Sequence, residues 1–391
     1  MDARAGGAPV SRAPATTADV ASCVRDAAAR RMPLRVAGSG GWLDAGRPVR
    51  DAEPLLLYGL DGIVEYVPGD LTLTARAGTT LAAIERATAA AGQFLPLDPY
   101  GKRSATIGAT IATASAGPMA HAFGTPRDIV LGVEAVDGRG TILRGGGRVV
   151  KNVAGFDLTR LLTGAWGTLG VITEVSVRLR ALPQTDETVA FALGANHREI
   201  AALIHVLHGA TIAPWTLELL SPAIAVKLGV AHRTVAVMRL AGNDESVAAQ
   251  RAALLEVGEV STIDGSFWRR LRECDPADAA VLRASRVPSK VSELWSAARG
   301  ITEAWPGAYA HASLGRGVVR VVLPGADDAR TTAALNALGS AGARCIAERV
   351  PPACWEHPVL ASAAADPLSR RARDAFDPQR VLNPGLLGGD A

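Results

Sequence analysis

Glycine gathers in three stretches of this 391-residue chain: residues 38–41 (GSGG), residues 104–117 (SATIGATIATASAG) and residues 164–170 (GAWGTLG). A turn needs one or two glycines for its positive φ angles. Repeated glycines do something further, because they leave backbone N–H groups bare, and bare amides suit the oxygens of a pyrophosphate. The segments between the stretches are too long for a single anion-binding loop. Together the three could line an elongated ligand of dinucleotide size.

Other glycine-dependent sites do not fit the spacing. A nicotinamide fingerprint needs G-x-G-x-x-G between strand and helix, and its third glycine would fall on Leu43. A phosphate loop ending in Gly101-Lys102 would need glycine where Pro96 stands. There is no G-x-S-x-G nucleophile elbow. His205 and His208 stand three apart without the glutamate of a helical metal pair. Cys23, Cys274, Cys345 and Cys354 form no C-x-x-C pair, so their spacing gives neither a zinc site nor an iron–sulfur cluster.

The elements that must hold these loops follow from local signals. Thr16 or Thr17 caps a helix to about Arg31, with Val20, Val24, Ala27 and Ala28 on one face. LRVAG (34–38) reads as a buried strand entering the first glycine stretch. Short strands follow near 55–58, 63–67 and 71–77, then a helix from Thr79 or Thr80 to about Ala91, ended by Gly92. Residues 101–117 read as a loop feeding a short helix. A hairpin turns at Asp137-Gly138, and a helix near 157–162 leads into the third stretch and a strand ending at Arg180. From Thr188 strands such as ETVAFAL, PWTLELL and RTVAVMRL alternate with helices near 197–208 and 243–256. A hairpin of GAYAHAS and GVVRVVLP comes next, then helices near 327–339 and 367–375. This pattern predicts an α+β domain with a largely antiparallel sheet.

Hydrophobic residues make up 48% of the chain, enough for a large core, and the net charge of +3 is scattered. That argues against nucleic acid as a partner. No stretch approaches the roughly 18 apolar residues of a membrane span, so the expectation is a cytoplasmic protein with at most peripheral membrane association.

Four segments in order resemble the flavin-binding domain of the vanillyl-alcohol oxidase and p-cresol methylhydroxylase superfamily, and within it the FAD-binding E subunits of bacterial glycolate oxidases. They are VAGSGGWLDAG (36–46), residues 104–140, VKNVAGFDLTRLLTGAWGTLGVITEVSVRLR (150–180) and FDPQRVLNPG (376–385). The resemblance is dense over residues 18–182 and weaker in the middle of the chain. It implies a p-cresol methylhydroxylase-type FAD-binding domain of two α/β subdomains (16–184) and an antiparallel-sheet α+β cap (185–350). A disordered N-terminus (1–15) precedes them, and a C-terminal segment (351–391) returns to the FAD domain.

The resemblance further implies FAD as cofactor, with Gly38, Ser39, Gly40, Gly41 and Trp42 cradling the pyrophosphate. Thr106, Ile107, Gly108, Ala109 and Gly117 would lie by the isoalloxazine and ribityl chain, and Gly167, Gly170, Val171 and Ile172 by the adenine. Pro96 and Asn383 are also implied as cofactor contacts. Relatives with covalent FAD often carry a histidine where this chain has Gly41, which implies non-covalent binding. Trp166 stands where catalytic relatives often carry glutamate; it either packs against the cofactor or fills a core gap.

Oxidising a 2-hydroxy acid needs a base for the hydroxyl proton and cations for the carboxylate. Catalytic relatives carry a metal-binding stretch like H-x-G-D-G-N-x-H. Here it reads His311-Ala312-Ser313-Leu314-Gly315-Arg316-Gly317-Val318, with only the first histidine kept. The expectation is therefore no metal. His311 is either a general base or a hydrogen-bonded strand histidine, and Lys151, Arg316 and Arg320 are candidate carboxylate clamps. The implied reaction is glycolate to glyoxylate, or oxidation of a related small 2-hydroxy acid. The implied setting is a complex with a homologous catalytic flavoprotein subunit and an iron–sulfur subunit. A flavin-containing assembly subunit without chemistry, or a stand-alone D-lactate-type dehydrogenase, are the alternatives.

Overall fold

The computed structural model describes residues 13–41, 43–147, 157–192, 212–360 and 364–388. Strands β1 (Leu34–Ala37) and β2 (Glu53–Leu56) pair in parallel. Strands β3 (Ile63–Val67), β4 (Thr72–Arg76), β6 (Val130–Val136), β7 (Ile142–Gly146) and β8 (Val171–Arg178) form an antiparallel sheet in the order β3-β4-β8-β6-β7. Strands β5 (Gln93–Phe94) and β9 (Arg180–Ala181) make a short ribbon beside it.

Capping chemistry fixes the helices that carry the loops. Thr16 accepts from the Asp19 amide and Asp19 returns the bond, closing a capping box at the start of α1 (Thr17–Arg30). Val20, Ala21, Val24 and Ala27 fall on one face and bury against Leu34, Leu55, Val136 and Val171. Thr80 caps α2 (Leu81–Ala89), and Thr106 caps α3 (Ile107–Thr113). Ile107 and Ile111 of α3 enter the core that Leu73, Ala75, Val175 and Val177 form on the five-stranded sheet.

The remaining strands form one antiparallel sheet of eight: β10 (Thr185–Ala192), β11 (Thr216–Leu220), β12 (Val235–Gly242), β13 (Val260–Ile263), β14 (Ala280–Ser285), β15 (Tyr309–Ser313), β16 (Val318–Leu323) and β17 (Arg344–Arg349). Their order is β13-β10-β12-β11-β15-β16-β14-β17. Period-two alternation divides the sheet's faces. Leu217, Leu219, Ala310, Ala312, Val319 and Val321 pack with the helices Asp244–Val257, Val291–Ala304 and Asp328–Ser340. Glu218, His311, Ser313 and Arg320 alternate with them and occupy the other face, which turns toward the FAD-loop region. The helix expected near 197–208 lies outside the described residues. The helix Val291–Ala304 is an addition to the sequence reading.

The chain's last helix, Pro367–Phe376, and the tail after it return to β1. The Leu34 amide donates to the Val381 carbonyl (2.7 Å), and the Asn383 amide donates to the Leu34 carbonyl (3.0 Å).

Candidate functional site

A cavity of 440 Å³ lies between the glycine loops and the cap sheet. Its floor is built from Val36–Gly41, from Ser104 to Ser115 along α3, and from Trp166, Gly167, Gly170 and Ile172. Its roof comes from Arg272, Glu273, Asp275, Val281, Arg320, Glu348 and Arg349. Pro99, Tyr100, Gly101 and Lys102 close one side.

At Gly38 and Gly108 the floor is bare because the close approach of neighbouring segments leaves no room for a side chain. A Cβ at Gly38 would lie 2.1 Å from Thr106 Oγ1, and one at Gly108 would lie 2.5 Å from the Ala77 Cβ. Gly40, Gly164 and Gly167 have φ of 83°, 83° and 68°, which glycine adopts without strain. Trp166 does so with a bulky side chain, at φ 55°. Its amide donates to the Ala112 carbonyl (2.7 Å), tying the third glycine stretch to the end of α3.

The roof carries charge that is already paired. Arg320 is buried between Asp275 and Glu348, with Nη2 2.7 Å from Glu348 Oε2 and Nη1 bonded to Asp275 Oδ2. Burial works against its charge, but Glu348 and Asp275 outweigh that and hold the guanidinium above its ordinary value. Burial would raise Asp275, yet Arg320 keeps that carboxyl below the usual carboxylate range. Tyr309 completes the group by donating to Asp275 Oδ1 at 2.9 Å. The guanidinium also sits 4.3 Å from the centre of the Tyr100 ring. Arg349 pairs with Asp44 at 2.6 Å, joining β17 to the segment after the first glycine stretch. Burial lowers the pKa of Arg272 from the ordinary value, and its Nη1, like Arg320 Nε, has no hydrogen-bond partner.

The structure gathers Gly38, Ser39, Gly40, Gly41, Thr106, Gly108, Ala109, Gly167, Gly170 and Ile172 on one cavity. It places five other expected contacts off the wall. Ile107 and Val171 are apolar side chains at 0% exposure in the core, and Pro96 is buried without lining the cavity. Gly117 packs on the Asp98 backbone, where a Cβ would meet the carbonyl oxygen at 1.8 Å. Asn383 sits beneath the floor, bonded to backbone groups. Trp42 and Lys151 lie outside the described residues.

His311 does not line the cavity either. Its Nδ1 is 2.9 Å from Glu218 Oε2, and the Tyr100 ring stands 5.3 Å from its own. The histidine is a buried strand residue with its Nδ1 hydrogen-bonded. Arg316 is half-buried away from the cavity wall, in the turn Leu314–Arg316, whose Gly315 packs against the His121 ring. Sequence reasoning missed Tyr100, Arg272, Asp275 and Glu348, which come from two loops, the helix Phe267–Glu273 and β17, with no motif of their own.

Residues 9–146 match the family described as FAD binding domain. The chain is 39% identical over 253 residues to the glycolate oxidase subunit GlcE of Escherichia coli K12, covering 64% of this chain and 66% of that protein. With p-cresol methylhydroxylase the whole fold aligns, at a TM-score of 0.72 over 97% of this chain and 88% of that one; at 16% identity the likeness concerns fold alone. Residues 9–146 therefore form an FAD-binding domain, in a chain with the p-cresol methylhydroxylase fold. This flavoprotein is also 36% identical over 209 residues to the glycolate oxidase subunit GlcD of Bacillus subtilis 168, covering 53% of this chain and 44% of that protein. Both matches fall short of two thirds of the relative's length.

The residues present fit FAD. Residues 38–41 line the cavity, and Gly41 has no atom within 4 Å of where a Cβ would stand. Arg35, Lys102 and Arg272 supply positive charge at the wall for a pyrophosphate. The floor along α3 is mostly alanine, glycine and threonine, small side chains that leave room for a ring system.

Proposed function

We propose that this flavoprotein is the FAD-carrying subunit of a glycolate oxidase-type complex, in which glycolate or a related 2-hydroxy acid is oxidised to the 2-oxo acid. The observation that carries the proposal is a cavity floored by bare amides and roofed by a charged sheet, in a chain similar to glycolate oxidase subunits over more than half its length. Bound FAD supplies the two-electron acceptor. The chain's part is to seat it: residues 38–41 at the pyrophosphate, α3 and its leading loop along the ribityl chain and isoalloxazine, and residues 166–172 at the adenine end. The roof covers the site and keeps water from it. Electrons leave to an iron–sulfur subunit, since no C-x-x-C spacing in the chain offers a cluster. The partners in this reading are that subunit and a homologous flavoprotein. The location is cytoplasmic, peripheral to the inner membrane at most, in keeping with the absence among the described residues of any helix long and apolar enough to cross a membrane.

A second reading is favoured by the roof itself: this flavin relays electrons or supports assembly, while the homologous subunit oxidises the substrate. The Arg320 charge is balanced by two carboxylates, and His311 lies off the cavity wall, bonded to Glu218, so neither presents an unpaired cation or a base to the cavity. Arg272 lines the cavity with its Nη1 unpartnered. Spectra of the FAD-loaded single chain and of the complex isolated from its host, before and after glycolate or D-lactate, test both readings. Flavin bleaching and dye reduction in the complex alone are expected. Turnover of about 1 s⁻¹ or more by the single chain overturns the requirement for partners, and an inert complex overturns the reaction class.

A further inference from the structure

We infer that Asn383 is a positioning residue for the cofactor site, through which the C-terminal tail locks the loop around Trp166 into the shape that receives FAD. The inference rests on the assignment of the cavity to FAD.

Asn383 is buried at 1% exposure, and its side chain spans two walls of the cavity from behind. Its Oδ1 accepts the Val36 amide at 2.8 Å, and its Nδ2 donates to the Trp166 carbonyl at 2.8 Å. The partners dictate the amide's orientation, because a backbone N–H requires an acceptor and a carbonyl a donor. Val36 and Trp166 both line the cavity, whereas Asn383 does not. They belong to segments more than a hundred residues apart in sequence, so this one side chain couples the first glycine stretch to the third.

The coupling matters because Trp166 is held at φ 55°, a region that bulky residues occupy only when their surroundings impose it. Two clamps impose it here: the Trp166 amide bonds to Ala112, and its carbonyl to Asn383. The neighbouring Gly167 is fitted to the same clamp, since a Cβ there would lie 2.9 Å from Asn383 Nδ2. The tail behind Asn383 is itself anchored. Asp377 accepts the amides of Val381 (3.0 Å) and Leu382 (2.9 Å), and Arg373 Nη2 donates to the Leu382 carbonyl at 3.0 Å.

Asn383→Asp isolates the Trp166 half of the bridge. It keeps the shape and the acceptor for Val36, and turns an oxygen toward the Trp166 carbonyl. Titrating the full-length apoprotein with FAD, followed by flavin fluorescence, should show a Kd raised about tenfold. In a Trp166→Gly background the same substitution should change Kd by less than about twofold, because glycine holds the loop conformation unaided. If Asn383→Asp does not fold, Asn383→Ser, uncharged and too short to reach both partners, is measured with the same expectation. An unchanged Kd, or an equal loss in the Trp166→Gly background, overturns the inference. A wild-type chain that fails to bind FAD overturns the cofactor assignment instead.

Discussion

His311 Nδ1 and Glu218 Oε2 lie 2.9 Å apart across neighbouring strands of the cap sheet, with side-chain exposures of 2% and 0%. The pair faces the FAD-loop region from a sheet whose opposite face carries an extensive apolar core, and Glu218 Oε1 has no further partner. Removing one member leaves a buried polar group uncompensated. His311→Ala is therefore expected to destabilise the protein by about 3 kcal/mol while leaving FAD affinity as in the wild type. Replacing both residues with leucine should recover much of the loss. Thermal unfolding with parallel FAD titrations checks this, and a stable His311→Ala protein that no longer binds FAD would refute it.

Asp98 gives the protein a pH dependence of predictable sign. Burial raises its carboxyl to about 6, against the opposing pull of Arg272, the Met119 amide, Arg239 and Arg103. An unfolded aspartate titrates near 3.9. Between these values the folded chain holds a proton that the unfolded chain has released, so stability falls as pH rises through the window. The ceiling of the effect is about 3 kcal/mol. Asn at position 98 cannot ionise and keeps an acceptor for the Met119 amide. The Tm of Asp98→Asn minus that of the wild type should therefore grow from pH 4 to pH 8. A constant difference across that range would show that Asp98 does not titrate in this way.

Much of the frame follows from local chemistry that a sequence displays. Thr16 and Thr80 are N-caps, the Asp137-Gly138 turn joins β6 to β7, and β3 occupies Ile63–Val67. The helix Val291–Ala304 was equally readable, since Val291, Leu294, Trp295, Ala298 and Ile301 recur at helical spacing after Pro288. The cavity floor showed itself through glycine because close backbone approach admits little else. The roof did not. Arg320 meets Asp275 and Glu348 only once β14, β16 and β17 are in register, and Asn383 meets Trp166 across 217 residues. Nothing in the local sequence marks an arginine as already neutralised.

FAD is expected to be held without a covalent bond. Gly41 offers no nucleophile, and no cysteine or histidine lines the cavity among the described residues. The lining phenol, Tyr100, is pushed well above its ordinary value by burial, which keeps it protonated and a poor nucleophile. Acid precipitation of the loaded protein should leave yellow colour in the supernatant. Flavin that stays with the pellet would refute the prediction.

The purified protein is expected to carry no stoichiometric metal. His311, the one histidine kept from the metal-binding stretch of catalytic relatives, spends its Nδ1 on Glu218, and Val318 and Leu314 supply no ligand beside it. Among the described residues no group of three or more His, Cys, Asp or Glu side chains is placed to hold a metal ion. His121 interacts electrostatically with Glu218, but its ring packs against Gly315, and burial lowers its pKa from the ordinary value. A lone imidazole–carboxylate pair falls short of the three protein ligands typical of a catalytic zinc site. Elemental analysis after dialysis should find metal well below one equivalent. One tightly held zinc per chain, lost together with its binding in His311→Ala, would mean that the Glu218–His311 pair is a ligand set and not a structural bond.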